Sequence, residues 1–168
     1  EALGQRFGIE SVIVENAPHD ARPQYAIPNA ALLPETMTRV IETTGAGLLL
    51  DTAHVRISAL MLDIPLREFM DGLPTSALRE LHVKGVAWDD EHGRWNDHYA
   101  MSEADWKLVD AVYAHIHSGD WPTPEIVALE YGGVGGVFET RSDPAVLTQD
   151  VPRLLELVRR PVAASRAE

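Results

Sequence analysis

Four short runs constrain this chain more than anything else in it. They are SVIVEN (residues 11–16), GLLLD (47–51), RELHVK (79–84) and EIVALE (125–130). Each is apolar in the middle and carries an ionisable side chain at or near its carboxyl end. Apolar runs of this length suit strands covered on both faces. Parallel α/β folds keep their sites at the carboxyl ends of such strands.

Helical patterns lie between and after the runs. Pro34 opens one over 34–44, with Met37, Val40 and Ile41 as its apolar stripe and Gly45 as its stop. Residues 54–62 and 65–71 give two shorter helices, the second closed by Gly72. Ser102 and Asp105 form a capping-box pattern. Trp106, Val109, Val112, Tyr113 and Ile116 then follow at helical spacing as far as Gly119. Asp143 and Pro144 begin a last helical region to Arg160, expected to break or restart near Pro152. Residues 1–10 read as the tail of a helix with a turn at Gly8, and 18–34 as a long proline-containing loop. Residues 87–99 are polar and aromatic without a period, which predicts a loop over the strand ends. The glycine-rich stretch 132–136 lacks the spacing of a phosphate-binding fingerprint.

Strands alternating with helices imply a parallel sheet with helical crossovers. A complete (β/α)8 TIM barrel takes about 250 residues. The expected fold is therefore α/β: a partial TIM barrel of about four βα units from its C-terminal half. Residues 1–160 would form that incomplete barrel, lacking its N-terminal strands, and 161–168 a frayed tail. An open half barrel would expose strand edges and apolar faces. This predicts self-association, or a second chain supplying the missing half.

Side chains alternate along a strand, so Glu15 shares a face with Ile13, Asp51 with Leu49, His82 with Lys84 and Glu130 with Ala128. Carboxylates and an imidazole converging at one mouth repel unless a cation sits among them. Mixed imidazole and carboxylate donors suit iron, manganese or zinc. Taken singly, each has an ordinary role: a strand-end carboxylate as a solvated or helix-capping group, His82 as a core histidine, His54 as a hydrogen-bonding partner of its helix. Four consecutive strands delivering such residues at one end is the stronger signal. Lys84 and Trp95 lie where they could shape a substrate pocket, and no catalytic side chain is assigned.

Composition narrows the chemistry. With 14 basic and 26 acidic residues the formal net charge is −12. That disfavours a nucleic-acid partner, which needs basic surface, and suits a cation or a neutral or basic substrate. There is no cysteine, so disulfides, thiolate metal sites and a cysteine nucleophile are excluded. No secretory leader or membrane-length apolar run is visible, which makes the cytoplasm the expected location and a membrane partner unexpected.

The pieces VIVEN-AP, GLLLDTAHVRIS, ELHVKG, the NDH segment before a helix with an early Trp, and ALEYGG together resemble the multinuclear non-haem iron-dependent oxidases. That family was long classed as barrels of unknown function, near the xylose isomerase-like barrels. The resemblance implies two or three irons that bind dioxygen and oxidise a peptide substrate, typically at cysteine, in natural-product maturation. Carried over by motif, the implied metal ligands are Glu15, Asp51, His54 (where the family often has Asn), His82, His98 and Glu130. Asn96 stands where the family's Asp-x-His pair has Asp, with Asp97 beside it. Two other functions remain open. One is a sugar isomerase or epimerase using manganese, zinc or magnesium, although His54, His82 and His98 favour iron. The other is a non-catalytic half barrel acting as a binding or assembly module.

Overall fold

In the computed structural model, which describes residues 2–20, 22, 27–133 and 142–161, four parallel strands form the frame. They are β1 (Ile13–Glu15), β2 (Gly47–Asp51), β3 (Leu78–Val83) and β6 (Ile126–Leu129), paired in the order β1-β2-β3-β6. Between β3 and β6 lies a separate hairpin of β4 (Gly85–Asp89) and β5 (Arg94–Tyr99). The helices are α1 (Ala2–Phe7), α2 (Asn29–Leu32), α3 (Pro34–Thr44), α4 (Thr52–Met61), α5 (Leu66–Asp71), α6 (Glu103–Ser118) and α7 (Pro144–Arg159). The parallel α/β arrangement matches the expectation. Among the described residues no further strand pairs with the outer edge of β1 or of β6.

One face of the sheet is covered. Leu48, Leu50, Leu81 and Val83 are at most 1% exposed and pack with Val55, Phe69, Trp106, Val109 and Val112 from the helices. Removing about 25 cal/mol per Å² of apolar surface from water makes this the main stabilising layer. The intervening residues, Leu49 and Asp51, Glu80 and His82, Ala128 and Glu130, belong to the opposite face by alternation and register. That face carries the ionisable groups.

Several local expectations hold at residue level. The α3 helix ends at Gly45. The α6 helix begins with Ser102 Oγ accepting from Asp105 N, and the Asp105 carboxylate accepting from Ser102 N. It ends at Gly119 in the left-handed conformation, φ 83°, which a side chain would strain.

Three expectations need correction. Residues 87–99 are not a loop, because most of them belong to the β4–β5 hairpin. Trp88 pairs with Trp95 and Asp89 with Arg94, the two indoles meeting edge to face at 5.8 Å. Asp89 closes the turn by accepting from His92 N and Asn96 Nδ2. Both faces of the hairpin carry polar groups, so the period-two pattern is invisible in hydropathy. Gly85 allows the hairpin to leave β3, since a Cβ there would lie 2.2 Å from Ala100 O. Secondly, α7 runs unbroken through Pro152. The proline removes one backbone donor, but Leu154 and Leu157 are buried beyond it and Asp150 is buried before it, so packing holds both halves in line. Thirdly, the 18–34 loop contains the one-turn helix α2. Parts of that loop, of the glycine-rich 132–136 stretch and of the 161–168 tail lie outside the described residues.

Candidate metal centre

The strand ends meet because the parallel register levels them. Asp51 pairs with His82, and Glu130 N donates to Val83 O at 2.9 Å, continuing the ladder beyond β6. On the other side Asn16 takes over where β1 stops. Its Nδ2 donates to Asp51 O at 3.0 Å and its Oδ1 accepts from Asp51 N at 2.8 Å. The side-chain amide thus imitates one more residue of strand and fixes Asp51 from behind.

Glu15, Asp51 and His82 offer ligand atoms that all lie within 4.8 Å of one another, and this group could hold a metal ion. Asp51 is fully buried. Its Oδ1 accepts from His54 N at 2.9 Å, capping α4, so the helix-capping role and a place in the cluster coexist in one residue. Its Oδ2 is buried and makes no hydrogen bond of good geometry, although Lys84 Nζ approaches it to 2.8 Å.

Lys84 is the residue that sequence reading undervalued. It is 4% exposed, and its ammonium also lies 2.6 Å from Glu130 Oε2 and 3.6 Å from Asp97 Oδ2. Burial disfavours its charge, but Asp51, Glu130 and Asp97 outweigh that and raise its pKa. Its parity with His82 was visible in the sequence, whereas its three partners come from separate segments.

His54 sits on the first turn of α4 with both ring nitrogens engaged. Nδ1 is 2.8 Å from Asn16 O and 3.2 Å from Glu15 Oε1, and Nε2 is 3.2 Å from Asp97 Oδ2. Burial works against the imidazolium, yet the hydrogen bonds to Asp97 and Glu15, with Asp51 nearby, lift its pKa to about 9. His82 Nε2 is 2.9 Å from Glu80 Oε1, and Nδ1 is 3.4 Å from Glu130 Oε1. Glu80, two residues before His82 on the same strand face, was not singled out from sequence, though the alternation that paired His82 with Lys84 reaches it too.

Asn96 and Asp97 diverge. The Asn96 amide donates to Asp89 within the hairpin, while the Asp97 carboxylate faces His54 and Lys84. The hairpin register slips between Gly85 and Ala87, leaving Asp97 and His98 opposite Val86. His98 takes φ 63° there. Such a bulge re-aims side chains, and here it turns Asp97 inward. Burial raises the Asp97 pKa, but the hydrogen bond from His54 and the charge of Lys84 prevail and hold it well below the usual carboxylate range. For Glu15 the His54 hydrogen bond is the largest influence, and it lowers the pKa against burial. In Glu130 burial is outweighed by Lys84, and the pKa is again lowered.

Five carboxylates, Glu15, Asp51, Glu80, Asp97 and Glu130, thus gather around one ammonium and the His54 imidazolium. The excess of negative charge and the buried Asp51 Oδ2 are what a bound divalent cation would relieve. The oxygen and imidazole donors fit iron, manganese or zinc. A small cleft lined by His19, Ile57, Arg94, Trp95, Asn96 and Asp97 opens beside the cluster.

The fold and site define a parallel α/β protein with a candidate metal centre at its strand ends. The family model described as RiPP precursor modification enzyme MbnB/TglH/ChrH matches residues 9–124. The chain belongs to this family, which supports the resemblance drawn from the motifs. The match includes Glu15 through His98, and Glu130 lies beyond it. No curated protein matches the chain. Among the described residues no helix is long and apolar enough to cross a membrane.

Proposed function

We propose that the chain is the metal-binding part of an oxidoreductase that modifies a peptide precursor with iron and dioxygen. The observation that carries this reading is the Glu15, Asp51 and His82 group at the strand ends of a RiPP precursor modification family member. These three residues would hold iron, with His54, Asn96 or its neighbour Asp97, His98 and Glu130 as the further ligands. Iron bound there would supply dioxygen activation and a coordination position for a cysteine sulfur of the peptide. The family match favours a peptide over a sugar as substrate.

The chain's own residues would do the rest. The cleft beside Asp97 is the path for the peptide, with the Trp95 ring and the Arg94 guanidinium along its wall. Asn16 and the α4 cap hold Asp51 in one orientation, and Glu80 holds the His82 ring. Such outer partners set the basicity and aim of ligands. The sheet would be four consecutive units of a (β/α)8 barrel, a reading supported by its sequential strand order. Further strands of such a barrel would pair along β1 and β6.

The test is a mass spectrum of cysteine-containing peptides incubated with iron-loaded protein and dioxygen. An oxidative mass change that needs iron, dioxygen and an intact His82 is expected. Peptides left unchanged by protein carrying stoichiometric iron would contradict the reading.

A further inference from the structure

Lys84 occupies an unusual position for a lysine. Its ammonium is buried, and carboxylates from three separate segments converge on it: Asp51 at the end of β2, Asp97 on β5 and Glu130 after β6. Three oxygens around one point is a divalent-cation arrangement as much as an ammonium one. The 2.6 and 2.8 Å contacts are close ammonium–carboxylate ion pairs, longer than the roughly 2.0–2.2 Å typical of zinc–oxygen bonds. The Asp51 carboxylate is shared, because it also belongs to the Glu15 and His82 group. It therefore serves two cation positions, and a side chain of this protein already fills one of them.

From this geometry we infer that Lys84 is a tethered cation that takes the place of a metal ion among Asp51, Asp97 and Glu130, so that the centre holds one ion fewer than its carboxylates would admit. The inference rests on the proposed metal-binding role of these strand ends. A lysine at this point offsets part of the cluster's negative charge before any metal arrives. It also confines exchangeable metal to the side facing Glu15 and His82, toward which Asp97 and Glu130 can ligate only through the oxygens that Lys84 does not engage. Removing the ammonium while keeping the volume, as in Lys84→Met, leaves the three carboxylates facing one another and opens the second position.

The experiment is an anaerobic titration of the full chain with Mn²⁺, counting bound ions by mass spectrometry and following Tm. Lys84→Met is expected to bind one equivalent more than wild type. Its metal-free Tm should fall, and Mn²⁺ should restore it more than it raises that of wild type. A folded Lys84→Met chain with the wild-type count overturns the inference. If wild type binds no metal but Lys84→Met binds one ion, the proposed centre fails while the role of Lys84 stands. If neither binds, both fail. Should Lys84→Met not fold even with Mn²⁺, anomalous diffraction from Mn²⁺-soaked wild-type crystals decides. An ion near Glu15 and His82 with none between Asp51, Asp97 and Glu130 supports the inference. An ion among those three, with Lys84 displaced, overturns it.

Discussion

The side chain of Asn16 pairs with the backbone of Asp51 as a strand residue would, donating to its carbonyl at 3.0 Å and accepting from its N–H at 2.8 Å. Both partners are buried, so the pair fixes where the Asp51 carboxylate points. Asn16→Ala would leave the Asp51 N–H and C=O without that partner, at about 1–3 kcal/mol of stability. Loss of an outer-shell partner typically lowers metal affinity about 10–100-fold. A Mn²⁺ titration of Asn16→Ala should show weakened binding with the stoichiometry unchanged. Wild-type affinity would show that Asp51 is held adequately by its capping bond to His54 alone.

The start of α6 offers a test of stability separate from the metal. Ser102 and Asp105 cap the helix reciprocally, and Arg56 on α4 donates to both side chains. Ser102→Ala should cost about 1 kcal/mol in urea unfolding. Asp105→Ala should cost more, because it also strips Arg56 of a buried partner. Neither change should alter the number of ions bound. An altered count in either variant would mean that the α4–α6 contact feeds into the site.

Acid and alkali should act on the metal-free chain through different residues. His54 has a folded value of about 9 against an ordinary 6.5. A value raised by folding means a stabilising contribution that is whole below about pH 6.5 and lost as pH rises through 9. Glu15 and Asp97 are lowered, so theirs is whole above the ordinary carboxylate range and lost as pH falls through their folded values. The Tm should therefore decline on both sides. In His54→Gln the decline between pH 6.5 and 9 should flatten. An unchanged alkaline slope in that variant would assign the effect elsewhere.

The sequence made the strand ends legible because two local rules suffice there. Alternation put Glu15, Asp51, His82 and Glu130 on one face, and βα order put the four strands side by side. The choice between Asn96 and Asp97 was not legible, because it depends on the bulge at Asp97 and His98. The hairpin itself was hidden by polar groups on both faces. Lys84 showed its parity but not its partners, which are brought from separate segments by the sheet and the bulge. Pro152 misled because its local cost is met by packing at Leu154 and Leu157, which no local rule records.

The most direct measurement is the metal content of anaerobically purified protein, by mass spectrometry, beside that of an Asp51→Ala/His82→Ala double variant. Stoichiometric iron in the wild type, lost in a folded double variant, is the expected result. Wild-type protein without stoichiometric metal, or a double variant that keeps it, would contradict the assignment of Glu15, Asp51 and His82 as a metal centre.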